Sequence, residues 1–107
     1  MRKIVITESA KSKITAVLEF ISSKYGPLTQ KKFVIKLDKA IGVAHKNPEI
    51  FPVSIYNKRV RKCVITKQST VFYAFDDENV VILALFDTRQ NPEHIKVITI
   101  FRMIYLN

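Results

Sequence analysis

Cysteine, glycine and acidic side chains are all scarce in this chain. There is one cysteine, Cys63, so no disulfide can form within the molecule, as expected in a reducing cytoplasm. Its place in a predicted strand makes a buried, inert thiol the expected state. Neither His45 nor His94 can be placed beside it as an activating base. Two histidines and one cysteine, far apart, give no metal-ligand spacing, so no metal and no other cofactor is expected. With only two glycines, sharp turns at positive φ must be few. No apolar run is long enough to span a membrane. Met1-Arg2-Lys3 leads into only Ile4-Val5-Ile6, which is too short for a secretory signal. A cytoplasmic protein with no membrane partner is therefore expected. Paired carboxylates, a nucleophile motif and a phosphate-binding glycine loop are also missing. Asp76-Asp77-Glu78 is acidic but reads as a turn.

Positive charge is abundant instead. Eighteen Lys and Arg face nine Asp and Glu, a net charge of +9. Such a balance favours an anionic partner, either nucleic acid or an acidic protein, and says nothing about fold. The 107 residues suit one domain, 1–107, with a single core.

The pattern along the chain is α+β. Lys3 to Ile6 is β-rich, and Thr7 offers a helix N-cap with Glu8 in the first turn. Ala10, Ile14, Val17, Leu18, Ile21 and Tyr25 then share one helical face, until Gly26-Pro27 stops it. A second helix is expected from Leu28 or Thr29 to Asn47-Pro48, with Phe33, Leu37, Ala40, Ile41 and Ala44 inward. The short link makes the two an antiparallel hairpin. Pro48 to Lys58 is a loop with Phe51 as its anchor. Strands are expected over Arg59–Thr66, Thr70–Phe75 and Asn79–Phe86, joined as antiparallel hairpins. The third, apolar on both faces, should be central, and the first two should have one wetter face. Beyond it, Asn91-Pro92-Glu93 reads as a helix start, yet the β-branched residues from Ile95 to Ile104 also suit a strand. Residues 93–107 are therefore a helical or strand extension.

Several side chains could carry function. Lys58, Arg59, Arg61, Lys62 and Lys67 are five cations with no acid among them. Strand alternation would put Arg59 and Arg61 on one face and Lys62 on the other. Such a face could grip phosphates or carboxylates, or could be a solvated strand guarded from edge pairing by charge. Arg89 follows the apolar strand, where a rigid sheet end would hold it for binding, although a simple Asp87–Arg89 loop pair is the plainer reading. Phe72 and Tyr73 alternate, one toward the hairpin and one toward the open face. Tyr73 could stack on a base, but a core tyrosine with its hydroxyl at the rim is the commoner arrangement. His94 could move protons, or simply be exposed at a helix start.

The order of these pieces resembles a known family. Leu37-Asp38-Lys39-Ala40-Ile41 leads into Asn47-Pro48-x-x-Phe51-Pro52, then Val60-Arg61-Lys62, Val71-Phe72-Tyr73, Val81-Ile82-Leu83 and Asp87-Thr88-Arg89-Gln90-Asn91-Pro92. This series, across residues 3–92, is similar to the RelE/ParE toxins of bacterial type II toxin–antitoxin systems, especially those called plasmid stabilisation proteins. The resemblance implies an N-terminal strand and an antiparallel α-hairpin packed on a twisted antiparallel β-sheet. It implies a cytoplasmic bacterial protein and a cognate acidic antitoxin encoded nearby. It admits a homodimer or a toxin–antitoxin heterotetramer.

The family divides by target. RelE-like members cleave messenger RNA on the ribosome, and ParE-like members poison DNA gyrase. Arg89 matches the arginine that RelE-like members carry after the last core strand, and Arg61 falls near one of their strand lysines. Their arginine before the Val-x-Tyr segment is Thr70 here. Ile95 falls near the place of their tyrosine, and His94 does not match the histidine of other nuclease members. With the long hairpin and Arg89-Gln90, these departures make a ParE-like gyrase poison the first expectation. A RelE-like endoribonuclease using Arg61 and Arg89 as catalytic residues is the alternative. A degenerate member that only binds antitoxin is a third reading. Arg59, Arg61, Lys62, Tyr73 and Arg89 are the candidate contacts to target or antitoxin.

Overall fold

The computed structural model describes residues 1–89. The expectations placed on Asn91, His94 and residues 93–107 lie outside it. The described elements are β1 (Lys3–Ile6), α1 (Glu8–Tyr25), α2 (Pro27–Lys46), β2 (Arg61–Val64), β3 (Ser69–Phe75) and β4 (Asn79–Asp87). The strands form one sheet in the order β1-β4-β3-β2. β2–β3 and β3–β4 are the expected antiparallel hairpins. β1 instead runs parallel to β4, pairing Lys3 with Asn79 and Ile6 with Ile82, so the sheet is mostly rather than wholly antiparallel.

The helical hairpin begins and turns as its sequence dictates. The Thr7 hydroxyl accepts the Ala10 N–H at 3.1 Å and caps α1. Gly26, at φ 92° and ψ 169°, links the helices in a backbone region open essentially to glycine alone. Pro27 then starts α2 one residue earlier than expected. Its fixed φ suits the first helical position, where a missing N–H costs nothing. Ala10, Val17 and Ile21 of α1 and Phe33, Leu37 and Ala44 of α2 are buried against Val71, Tyr73, Val80, Ile82 and Leu85 of the sheet. Tyr25 leaves this face. It is 49% exposed, edge-on to Phe20 and beneath the Lys24 ammonium.

A bulge in β4 sets which side chains meet the helices. Phe72 pairs with Ala84 but Tyr73 pairs with Ile82, leaving Leu83 as an extra residue. Val80 and Ile82 face the helices before it, and Leu85 joins the same cluster after it, while Leu83 and Ala84 lie with Val60 and Phe72 in a second cluster. Strict alternation would have sent Leu85 and Asp87 to the other face from Val80. The bulge is tied to the start of α1, since Thr7 donates from its N–H to the Ile82 carbonyl at 3.1 Å and from its hydroxyl to that of Leu83 at 3.3 Å.

β4 is interior, as expected from its apolar run, and β3 is interior too. The expected wetter face therefore belongs to the edge strand β2 and hardly to β3, three of whose central residues, Val71, Phe72 and Tyr73, are buried. β2 is also shorter than the predicted Arg59–Thr66. On the near side the Asn57 side chain accepts the Arg59 N–H at 2.8 Å and holds a turn. On the far side the Thr66 hydroxyl accepts the N–H groups of Gln68 and Ser69, both at 3.2 Å. Phe51 anchors the loop before β2 as expected, meeting the Tyr73 ring edge-on with centroids 6.2 Å apart.

Candidate functional site

The cations grouped together in the sequence are dispersed by the fold. Arg59 lies in the turn before β2, so it does not share a strand face with Arg61. Arg61 stands opposite Tyr73, and its Nη1 donates to the carbonyls of Glu49 at 2.9 Å and Phe51 at 2.8 Å. Its guanidinium also sits 5.6 Å from the centroid of Phe75. Arg61 thus ties the loop to the sheet. Lys62, the next residue along the strand, projects to the opposite face.

Tyr73 is a core residue. It is 0% exposed and its hydroxyl donates to the Pro48 carbonyl at 2.7 Å, so its ring offers no surface on which a base could stack. Burial pushes its phenol up to about 12, despite the nearby charge of Arg61. Cys63 is buried as expected, and burial raises its thiol above the ordinary value.

Arg89 is held by a designed-looking arrangement at the end of β4. Asp87 is fully buried while the Arg89 side chain remains 19% exposed. Arg89 donates from Nε to Asp87 Oδ1 at 3.1 Å and from Nη2 to Oδ2 at 2.8 Å, and its backbone N–H reaches Oδ1 at 2.9 Å. The Ser69 hydroxyl, across the ladder, donates to Oδ2. Burial alone would raise the Asp87 pKa, but these hydrogen bonds and the Arg89 charge together hold it below the usual carboxylate value. The same hydrogen bonding raises the Arg89 pKa. The Asp87–Arg89 pair anticipated from sequence is present, but as a two-pronged bond to a buried carboxylate rather than a weak exposed one.

Arg89 borders a cleft of about 170 Å³ with Ile21, Thr29, Lys32, Phe33, Lys36 and Thr66. Lys32 and Lys36, one helical turn apart on α2, bring two further cations to it. Sequence reasoning gave these lysines no role. Their spacing around Phe33 and Leu37 was the available signal, since it puts them at the border of the buried stripe. Arg61 is not part of this cleft. It is level with Tyr73, and Asp87 is level with Ser69, so the two lie four residues apart along β3, about 13 Å. The Arg61 guanidinium reaches still further away, toward Phe75.

Among the described residues no cluster of His, Cys, Asp and Glu could hold a metal ion, and no helix is long and apolar enough to cross a membrane. His45 is the one histidine described, and its Nε2 is hydrogen-bonded to the Arg2 carbonyl, beside β1 rather than near Arg89.

The family described as ParE toxin of type II toxin-antitoxin system, parDE, matches residues 4–92. No curated protein matches the sequence. Among solved structures, the chromosomal ParDE system of P. aeruginosa is similar, with a TM-score of 0.70, 13% identity, and 81% of this chain and 96% of that one covered. The E. coli DinJ-YafQ complex matches with a TM-score of 0.58, 10% identity, and coverage of 85% and 98%. The YoeB/ParE toxin from Agrobacterium tumefaciens matches with a TM-score of 0.57, 17% identity, and coverage of 79% and 97%. At these identities the likeness is one of fold.

Proposed function

The chain belongs to the ParE toxin family of type II toxin–antitoxin systems, and we propose that it arrests bacterial growth by poisoning DNA gyrase and is neutralised by a cognate acidic antitoxin. The observation that carries this reading over messenger cleavage is the separation of Arg61 from Arg89. A ribonuclease built on these two arginines would need both on one scissile phosphate, within a few ångströms of the same atoms. Here Arg61 and Asp87, the residue that holds the Arg89 guanidinium, are offset by four residues of β3, about 13 Å, and the Arg61 guanidinium is engaged by two loop carbonyls. The carboxylate beside Arg89, Asp87, is fully buried and already taken up by Arg89 and Ser69.

A binding role asks less of these residues. Arg89, fixed by Asp87, offers a well-held cation to an anionic surface of target or antitoxin, with Arg59 and Lys62 as further exposed or rim cations. Controlled expression in a bacterial host tests the proposal. Growth arrest with filamentation and a DNA-damage response is expected, and Arg89→Ala should relieve it while the variant stays folded. An immediate halt of translation, with messenger cut on the ribosome, would replace this reading with the nuclease one.

A further inference from the structure

The two edges of the sheet differ in how the fold protects them. β2, at one end of the order β1-β4-β3-β2, is guarded. The loop before it folds back along it, with the Ser54 N–H donating to the Val60 carbonyl at 2.7 Å and the Lys62 N–H to that of Pro52 at 3.0 Å. Arg61 and Lys62 add charge to the same strand. β1, at the other end, is bare. Among the described residues no strand lies beyond it, and Lys3 is followed by Ile4-Val5-Ile6. Ile4 is 40% exposed and Val5 41%. An apolar edge of this kind is a template for another strand, because its outward N–H and C=O groups have no neighbour.

The backbone bonds of β1 identify those groups. The Lys3 N–H donates to the Glu78 carbonyl at 2.8 Å and the Thr7 N–H to that of Ile82 at 3.1 Å, so the odd-numbered residues turn their polar groups toward β4. Ile4 and Ile6 turn theirs outward. The next outward acceptor, the Arg2 carbonyl, is taken by His45 Nε2. At the other end Thr7 leaves the strand to cap α1. The open stretch is therefore short and bounded, with Val5 at its centre.

We infer that this edge pairs antiparallel with the same edge of a second copy of the chain, about a two-fold axis at Val5, to make one continuous sheet. In that register Ile4 and the partner's Ile6 exchange both N–H···O=C bonds, and Ile6 and the partner's Ile4 do the same. Every outward N–H and C=O of Ile4 and Ile6 is then satisfied in both copies, with none left over. The side chains match as well. Ile6 packs against the helix-side core, so Ile4 and Ile6 meet their counterparts on that side, and Val5 meets the partner's Val5 on the other. A second copy fits the bounds as well as the bonds, since its own strand ends where His45 and α1 close the edge. Arg2 reaches the end of the partner's β1, where Glu8 stands 93% exposed, and this attraction offsets part of the repulsion between two chains of +9. The contact is small, so the dimer is weak and reversible. It leaves Arg89 and the cleft that Arg89 borders free, because Thr66 places that cleft beside β2, at the far edge of the sheet. Pairing at β1 is independent of the target that Arg89 meets.

The test uses the purified full chain, freed of nucleic acid, in sedimentation velocity over a concentration series. Wild type should pass from monomer to dimer as concentration rises. Val5→Lys sets like charges opposite one another at the axis and should weaken association by about tenfold or more. Lysine on an exposed edge strand is compatible with the fold, which circular dichroism and thermal melts check. Val5→Cys tests the register directly. Facing residues of a non-hydrogen-bonded pair have Cα atoms about 4.5 Å apart, within disulfide range, so mild oxidation should link two copies there. Lys3→Cys should not link, because the two positions would lie about four residues apart along the ladder, or about 13 Å. Cys63 is buried and takes no part. A chain that stays monomeric at every concentration, and whose Val5→Cys form does not link, overturns the proposal. So does a dimer that Val5→Lys leaves unchanged, which would use another face. Association that nuclease or high salt abolishes is assembly on nucleic acid, and the proposal fails. If the Ile4 and Ile6 amides gain protection from hydrogen exchange only when the neighbouring acidic protein is added, the edge serves that protein and not a second copy.

Discussion

Asp87 is the side chain on which most of the candidate site depends. It is buried, accepts from Ser69 and Arg89, and fixes the guanidinium that borders the cleft with Lys32 and Lys36. Asp87→Ala removes a buried acceptor from two donors and should cost about 2–4 kcal/mol in urea unfolding. Because its native pKa lies below the unfolded value of about 3.9, its contribution is fully present above that value and is lost as pH falls through the native one. The drop in stability between neutral pH and pH near 3 should therefore be smaller in Asp87→Asn than in wild type. Tyr73 works with the opposite sign. Its phenol is raised to about 12, so its contribution is present below the unfolded value near 10 and is lost as pH climbs toward the native one. In an ultraviolet titration Tyr73 should ionise only toward about pH 12, a component that Tyr73→Phe removes. Tyr73→Phe, which strands the Pro48 carbonyl, should cost about 1–3 kcal/mol. A midpoint unchanged by this substitution would mean that the carbonyl finds another donor. Sequence alone weighed Tyr73 correctly as a core residue, because aromatics in apolar strands are usually buried. It missed the burial of Asp87, because a charged residue beside a loop carries no sign of the serine that will face it.

The elements were more legible than the site. Thr7, Gly26-Pro27, Asn47-Pro48 and the 3.6-residue periodicity mark both helices to within a residue or two, since caps and breakers act locally. The two hairpins follow equally from short connections. What the pattern could not reveal is non-local. The parallel pairing of β1 with β4 joins segments more than seventy residues apart, and the bulge at Leu83 appears only once Phe72 and Tyr73 are paired. That bulge is also why alternation misplaces the end of β4. The contacts of Arg61 were hidden for a related reason. Its strand position is as expected, but the loop carbonyls that claim it come from Glu49 and Phe51, twelve and ten residues back. Gly26 gives the clearest test of an element. A Cβ there meets nothing within 4 Å, so Gly26→Ala isolates backbone strain from crowding, and should lower stability by about 1–3 kcal/mol without altering the fold. Replacing Thr7 by Ala removes both an α1 cap and a bond to the bulge, and should cost about 1–2 kcal/mol by thermal melting. A loss confined to a few tenths would mean that the bulge holds without it.

Across the molecule, charge and shape point the same way. A small basic domain carries two lysine-bordered clefts along α2, and Arg89 borders one of them. The family identifies a toxin with an antitoxin partner. The proposed preference for gyrase over messenger rests on geometry, because Arg61 is engaged by loop carbonyls and offset along the sheet from the Asp87 that holds Arg89. The most direct measurement mixes the purified protein with purified gyrase, ATP and relaxed plasmid, and follows supercoiling and double-strand cleavage together. Loss of supercoiling with accumulation of cleaved plasmid, both abolished by prior addition of the antitoxin, is the predicted result. Unimpaired supercoiling, in a preparation that cleaves messenger on purified ribosomes, would contradict the account.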